Sequence, residues 1–242
     1  MNLIIDVGNS RVKLAVFKEN SLVLQTAFAV NELLNEYKII KKAYPHLKAG
    51  LVSAVGRLPK PHLAKISKDI KLHELSYKSK LPFVNLYETP KTLGVDRMGL
   101  ASAAIRHYPK KNVLVIDAGT CITYDFVNDK GEYLGGAIAP GLRLRYTALN
   151  NLTQNLPLLE TTRPKAIIGK TTESSIHSGV VFGAIKEIDG VIEHYRANYQ
   201  DLTVILTGGD TEFLSNQLKN SIFAHSNFLL EGLNYILDYN SL

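Results

Sequence analysis

The chain has 242 residues, of which 45% are hydrophobic and 21% are charged, and it contains a single cysteine. This composition excludes a disordered chain, a collagen-like repeat and a small protein held together by disulfides. The 28 basic residues outnumber the 22 acidic ones, and the resulting formal net charge of +6 favours an anionic partner. Nucleic acid, acidic lipid and a phosphorylated small molecule are all compatible with that charge.

The sequence shows no signal for export or membrane insertion. No apolar run reaches the ~18 residues that a membrane-spanning helix requires. Residues 1–5 lead directly into Asp6, without the basic region and apolar segment of a signal peptide. We therefore expect a cytoplasmic protein without membrane contacts. Because Cys121 is the lone cysteine, neither an intramolecular disulfide nor a thiolate metal cluster is expected.

The N-terminal region begins with patterns typical of strands. The apolar run Leu3–Ile5 leads into Asp6-Val7-Gly8-Asn9, and a second apolar run follows at Val12–Phe17. Short apolar runs separated by turn residues predict two adjoining strands. We predict a third strand at Leu22–Val30 and a buried strand at Leu51–Val55.

The same pattern occurs a second time further along the chain. The apolar run Leu114–Ile116 leads into Asp117-Ala118-Gly119-Thr120, and strands are predicted at Ile122–Val127 and Glu132–Ile138. Another buried strand is predicted at Thr203–Leu206, just before a Gly-Gly-Asp turn. Each copy therefore places an Asp-x-Gly turn between its first two strands.

Three segments carry apolar residues at helical spacing. They are Leu33, Tyr37, Ile40 and Tyr44; Met98, Ala101, Ala104 and Ile105; and Ile185, Ile188, Val191, Ile192 and Tyr195. Each half of the chain thus has strands first and helices after. We predict a duplicated α/β fold with an N-terminal domain at residues 1–110, a C-terminal domain at residues 111–242, and a cleft between them.

The two Asp-x-Gly turns favour phosphate and metal binding. Glycine lets the backbone approach a phosphate, its exposed N–H groups donate to phosphate oxygens, and the carboxylate can hold Mg²⁺. One isolated Asp-x-Gly is more often an ordinary hairpin turn. Two copies at equivalent points of a repeat predict a nucleotide-phosphate site, because both carboxylates would face the cleft.

Other nucleotide-binding motifs are not supported. Gly169-Lys170-Thr171 resembles the end of a P-loop, but Pro164 stands where that motif requires glycine. The sequence has no G-x-G-x-x-G and no ladder of basic and aromatic residues of the kind that binds single strands. We therefore expect no nucleic-acid partner.

Two glycine-containing segments have open interpretations. In Gly94-Val95-Asp96-Arg97, the aspartate either caps a helix beside a solvated arginine or accepts a proton from a substrate hydroxyl beside an anion-binding arginine. Residues 135–141, Gly-Gly-Ala-Ile-Ala-Pro-Gly, form either a tight structural turn or a substrate wall lined by backbone. Spacing alone does not decide between these alternatives.

Taken in order, these motifs resemble the type III pantothenate kinase family. The resemblance rests on residues 6–10, 94–97, 117–120, 135–141 and 207–210, and it runs nearly from end to end. It implies duplicated ribonuclease H-like, actin-like ATPase domains and a homodimer. It further implies transfer of the ATP γ-phosphate to the primary hydroxyl of pantothenate, the first step of coenzyme A biosynthesis, with Mg²⁺ and a monovalent cation, K⁺ or NH₄⁺, as cofactors.

The resemblance also implies roles for individual residues. Asp96 corresponds to the catalytic proton acceptor, and Asp117 to the ligand of the monovalent cation. The ATP-binding residues would be Asp6, Val7, Gly8, Asn9, Ser10, Arg11, Val12, Lys13 and Thr120. The pantothenate-binding residues would be Tyr87, Gly94, Val95, Asp96, Arg97 and Thr172. The chain departs from the family at Thr171, where Asn is usual, and at Cys121, where a small residue such as Ala is common.

Two other functions fit the same fold. One is a non-catalytic transcription accessory factor. Such a protein would be expected to lack Asp6, Asp96 or Asp117, whereas all three aspartates are present. The other is a nucleotide or polyphosphate phosphatase, which would share both phosphate loops but activate water in place of an alcohol.

Overall fold

The computed structural model describes residues 1–9, 11–56 and 59–241. The strands are β1 Asn2–Val7, β2 Val12–Lys18, β3 Ser21–Phe28, β4 Ala49–Ala54, β5 Lys71–Glu74, β6 Val84–Asn85, β7 Val113–Ala118, β8 Cys121–Val127, β9 Glu132–Pro140, β10 Thr203–Thr207 and β11 Phe223–Ala224. The helices are α1 Leu33–Ala43, α2 Lys60–Ile66, α3 Val95–His107, α4 Leu142–Asn151, α5 Thr172–His177, α6 Gly183–Asn198, α7 Thr211–Ser215 and α8 Phe228–Ser241. A π-helical segment, Ser178–Phe182, joins α5 to α6.

The chain forms two compact units. The first contains Met1–Lys110, Lys130–Leu134 and Asn227–Leu242, and the second contains Lys111–Asp129 and Gly135–Ser226. Both predicted domains, 1–110 and 111–242, share the division after Lys110 with these units. The units differ from the predicted ranges because the start of β9 pairs with β6, and α8 packs on α3 and β1, all within the first unit.

The first unit is built on a five-stranded sheet of order β3-β2-β1-β4-β5. Strands β1, β2 and β3 form an antiparallel meander, whereas β1, β4 and β5 run parallel. Because side chains alternate along a strand, Leu3, Ile5 and Val7 face one side of β1 and pack into a buried cluster with Leu33 and Tyr37 of α1. The same alternation sends Asp6 to the opposite side of the sheet.

The second unit repeats this strand order as β9-β8-β7-β10-β11. Here β7 is antiparallel to β8 and parallel to β10, which is parallel to β11. Apolar residues of β7, Leu114 and Ile116, pack with Ile185, Ile188 and Ile192 of α6 in a second buried cluster. The predicted duplication is therefore confirmed, and both Asp-x-Gly turns follow equivalent strands, β1 and β7.

The predicted helices and strands agree with the structure to within a few residues at each end. The strand predicted at Leu22–Val30 is observed as Ser21–Phe28, because a 3₁₀ turn begins at Val30. The strand predicted at Glu132–Ile138 extends to Pro140. Across the described residues, no helix combines the length and the apolarity needed to cross a membrane.

Candidate functional site

Asp6 lies at the carboxyl end of β1 between two polar neighbours. In the sheet register, Asp6 is opposite Lys13 of β2 and opposite Ser53 of β4. Its side chain is only 6% exposed. Burial raises the pKa of the Asp6 carboxyl from its usual 3.8 to about 6, although the Lys13 ammonium acts in the opposite direction. Burial therefore disfavours the charged form of Asp6, and a bound cation would stabilise that charged form.

Ser53 is a residue that the sequence motifs did not mark. Its side chain is fully buried, and its hydroxyl makes no hydrogen bond within the part of the chain that the structure describes. The hydroxyl still lies close enough to Asp6 to lower the pKa of that carboxyl. A buried hydroxyl without a partner is unfavourable, which makes Ser53 available to a ligand or to the Asp6 carboxylate.

The turn after β1 is closed by backbone contacts. Gly8 donates its N–H to the Arg11 carbonyl at 3.0 Å, and a Cβ added at Gly56 would lie 2.6 Å from the Gly8 carbonyl oxygen. Gly56 therefore lets the chain after β4 approach the turn after β1 more closely than a residue with a side chain could. Ser10, also predicted to bind ATP, lies outside the described residues.

Helix α3 begins beside this turn and supplies a second carboxylate. Gly94 is the N-cap residue, and a Cβ there would collide with the Asp96 carboxylate, so glycine leaves room for that side chain. Burial is the main cause of a raised pKa at Asp96, opposed by a hydrogen bond from the Arg97 N–H at 2.8 Å and by the Arg97 charge. The Asp96 charge in turn raises the pKa of Asp6, so the two carboxylates lie near each other.

Arg97 is not solvated, so the interpretation of this segment as a cap beside an exposed arginine is wrong in that part. The side chain is 5% exposed, and its guanidinium carbon lies over the Tyr87 ring at 5.6 Å and over the Tyr133 ring at 5.9 Å. Tyr133 belongs to none of the sequence motifs. A buried arginine packed against two neighbouring aromatic rings is suited to binding an anionic group of a substrate.

The second Asp-x-Gly turn packs closely against two other glycine turns. Gly208 has a φ of +98°, and a Cβ there would collide with the Ala118 carbonyl and the Asp117 carboxylate. The turn at Gly141 donates its N–H to the Thr120 carbonyl at 3.0 Å. These contacts explain the glycines by close backbone approach, so the Gly141 end of the predicted wall is structural.

A groove of about 1140 Å³ in the second unit contains Thr172. Arg145 and Leu149 of α4 and Leu152, which follows the helix, form one part of its lining, and Lys170 and Thr172 form another. Arg145 is fixed by a 2.7 Å ion pair with Glu187 and by a hydrogen bond that it donates to the Pro140 carbonyl. The groove is therefore largely apolar with a few fixed polar groups, which is typical of a site for an organic ligand.

Thr171 immediately precedes Thr172 and has a structural role. Its hydroxyl accepts a hydrogen bond from the Ser174 N–H at 3.1 Å and caps the N-terminus of α5. Asn serves the same purpose at an N-cap, so the departure from the family at Thr171 preserves the local structure.

The predicted site residues thus fall into two groups. In the first unit, Asp6 lies near Lys13 and Asp96, and Tyr87 lies over Arg97. In the second unit, Asp117 packs on Gly208, Thr120 packs on Gly141, and Thr172 lines the groove. The assigned roles of these residues stay predictions, as does the cleft.

The fold is shared with solved structures of kinases. A glucokinase from an Antarctic psychrotroph superimposes with a TM-score of 0.54 at 11% identity, over 98% of each chain. A protein from Campylobacter jejuni, described as a candidate Baf family transcriptional activator, gives a TM-score of 0.62 at 22% identity, over 99% of this chain and 98% of that one. The duplicated sheets and their Asp-x-Gly turns define an actin-like ATPase fold of the kind used by sugar kinases.

The family is shown by sequence. Residues 2–194 match the family model for type III pantothenate kinase. A type III pantothenate kinase from Flavobacterium johnsoniae is 49% identical over 239 residues, which cover 99% of this chain and 98% of that protein. The chain belongs to the family of type III pantothenate kinases, the phosphotransferases that use ATP to phosphorylate pantothenate in coenzyme A biosynthesis.

Proposed function

We propose that Asp96 is the catalytic base of this pantothenate kinase. In that step the Asp96 carboxylate accepts the proton of the primary hydroxyl, whose oxygen forms the new bond to the γ-phosphorus of ATP, while the bond from that phosphorus to the ADP oxygen breaks. The observation that carries the proposal is the burial of Asp96 at the start of α3, which raises its pKa toward the range of a useful base.

The remaining chemistry consists of positioning and charge stabilisation. Phosphoryl transfer has a loose transition state, so the protein mainly orients the reactants and neutralises oxygen charge. We assign the phosphates to residues 6–13 and to Thr120, because the turns after β1 and β7 contain glycines, at which a phosphate can approach the backbone closely. The Lys13 side chain, opposite Asp6 in the register, adds a positive charge to the first loop.

The residues present fit a divalent cation at Asp6. The carboxylate is buried, its charged form is disfavoured, and the unpartnered hydroxyl of Ser53 lies beside it. When bound, Mg²⁺ would neutralise phosphate charge there. For the monovalent cation, K⁺ or NH₄⁺, we assign Asp117, a carboxylate at the end of β7 against which the backbone of Gly208 packs.

We propose that pantothenate is bound by the residues that the sequence motifs assigned to it. Arg97 carries a buried positive charge suited to the carboxylate of pantothenate, and Tyr87 lies beside it. Gly94 and Val95 precede the base at the N-terminus of α3. Thr172 lies in the largely apolar groove of the second unit, which suits the aliphatic part of the substrate.

We further propose that the protein is a homodimer and that it acts in the cytoplasm, the compartment that supplies its ATP. Support for the dimer comes from exposed apolar side chains of the second unit. Leu152, which lines the groove, is 83% exposed, and Ile167 and Ile168 are 65% and 75% exposed. Apolar surface of this kind is typical of interfaces. Light scattering should give twice the chain mass, and Leu152→Glu should lower it; a monomeric wild-type protein would contradict the proposal.

A labelled-ATP assay tests the proposed chemistry. Label from the γ-phosphate should appear on pantothenate, whereas release as free phosphate would indicate the phosphatase and no turnover would indicate the accessory factor. Asp96→Asn should keep the fold and lower kcat by ~10² to 10⁴-fold, the usual contribution of a general base. Asp129→Asn, which removes an exposed aspartate, is the matched control. Activity of Asp96→Asn close to wild type would refute the role of Asp96.

A further inference from the structure

We propose that Tyr133 is a positioning residue that determines the preference of this enzyme for a carboxylate-bearing substrate. It acts by fixing the guanidinium of Arg97. The inference rests on the proposed role of Arg97, and Tyr133 itself touches neither ATP nor pantothenate in this proposal.

The contact between Tyr133 and Arg97 is a cation–π interaction. The guanidinium carbon lies over the Tyr133 ring at 5.9 Å and over the Tyr87 ring at 5.6 Å, and the two ring centroids are 6.2 Å apart. Such contacts are strongest where water is excluded. Both Arg97 and Tyr133 are buried, the first at 5% and the second at 0% exposure. The two rings therefore hold the charge at one position with little competition from solvent.

Tyr133 is itself fixed by the strand that carries it. It pairs with Asn85 where β6 meets β9, and its carbonyl accepts the Leu86 N–H at 3.0 Å. The Phe83 ring packs on it with centroids 5.7 Å apart. Tyr87 follows the same β6 strand, and its N–H donates to the Asn85 side chain at 3.0 Å. The two rings that face Arg97 thus belong to β9 and to the segment after β6, two strands that pair with each other, whereas Arg97 belongs to α3.

This arrangement suits recognition of an anion. An aromatic ring attracts the guanidinium through the ring face and accepts no N–H hydrogen bond in the ring plane, so the ring contact does not compete with a carboxylate for those donors. An arginine that is free to move would lose binding energy when a carboxylate fixed it. Tyr133 removes that loss in advance, so the preference for a carboxylate over a neutral group should depend on its ring.

The test compares pantothenate with pantothenyl alcohol, in which a hydroxymethyl group replaces the carboxylate. The measured quantity is the ratio of kcat/KM for the two compounds, which is independent of the fraction of active enzyme. Arg97→Met should collapse the ratio. Tyr133→Leu should lower it roughly tenfold, in line with a desolvated cation–π contact. Tyr133→Phe, which keeps the ring, should retain the wild-type ratio.

The outcomes separate the two assignments. If Arg97→Met leaves the ratio unchanged, then Arg97 does not bind the carboxylate and the proposed function of this residue fails. If Arg97→Met collapses the ratio but Tyr133→Leu lowers both kcat/KM values equally, Tyr133 is only structural and the inference is overturned. Should Tyr133→Leu fail to fold, Tyr133→Met, whose flexible unbranched side chain adapts better to the space left by the ring, provides the same ratio.

Discussion

Replacing Asp6 by Asn should stabilise the unliganded protein at neutral pH while removing its activity. Burial raises the pKa of Asp6 from 3.8 to about 6, a shift of roughly two units at ~1.4 kcal/mol per unit. Below pH 3.8 the carboxyl is neutral in both the folded and the unfolded chain, so it costs no stability. As the pH rises above 3.8, Asp6 ionises in the unfolded chain before it does so in the folded chain, and the free energy of unfolding falls. Once Asp6 has ionised in the folded chain as well, above a pH of about 6, this loss reaches ~3 kcal/mol.

The assay is urea unfolding of wild type and Asp6→Asn, with EDTA and without nucleotide, at pH 8 and pH 4.5. The variant should be more stable by up to ~3 kcal/mol at pH 8 and by only ~1 kcal/mol at pH 4.5, since the penalty is mostly absent there. Asp129→Asn controls for the change of net charge. If the difference between variant and wild type is the same at both pH values, the argument from burial of Asp6 is refuted.

Three further outcomes are expected. The kcat/KM for pantothenate should fall at acid pH as Asp96 is protonated, with the midpoint above the usual aspartate pKa because burial raises it; a midpoint at the ordinary value would contradict the assignment. Gly208→Ala should cost ~1 to 3 kcal/mol in thermal unfolding, because its φ is +98° and its Cβ would collide with the Ala118 carbonyl, while Gly209→Ala, with open space at its Cβ, is the control. Thr171→Asn should change stability by only a few tenths of a kcal/mol, since both residues cap helices; a loss above ~1 kcal/mol would contradict the cap.

Much of the fold could be predicted because the central strands, β1 and β7, consist mostly of buried apolar residues. The buried runs at Leu3–Ile5 and Leu114–Ile116 are strong local signals, and the repeated Asp-x-Gly after each one identifies the duplication. Strand order then follows from the short turns between neighbouring strands and from the parallel return through a helix. Asp6 and Asp117 could be recognised for the same reason, since each lies at the end of such a strand.

The parts that escaped prediction depend on contacts distant in sequence. Ser53 becomes part of the site only because the parallel register places it opposite Asp6, 47 positions earlier (53 minus 6). Tyr133 meets Arg97 only through the pairing of β6 with β9, and a two-residue strand such as β6 has too few residues for a periodic signal. The burial of Arg97 could not be read from its own helix, because the rings that cover it lie on other segments.

The last helix has a consequence for how the chain is made. Helix α8 completes the first unit: Gly232 packs so closely on α3 that a Cβ there would collide with the Gly99 carbonyl. The Asn234 side chain accepts a hydrogen bond from the Asn2 side chain and donates one to the Glu19 carbonyl. During synthesis on the ribosome, the sheet formed by the first 110 residues therefore stays partly uncovered until α8 has been made. The N-terminal half should be prone to aggregation when expressed alone, and adding residues 227–242 in trans is the direct way to rescue it.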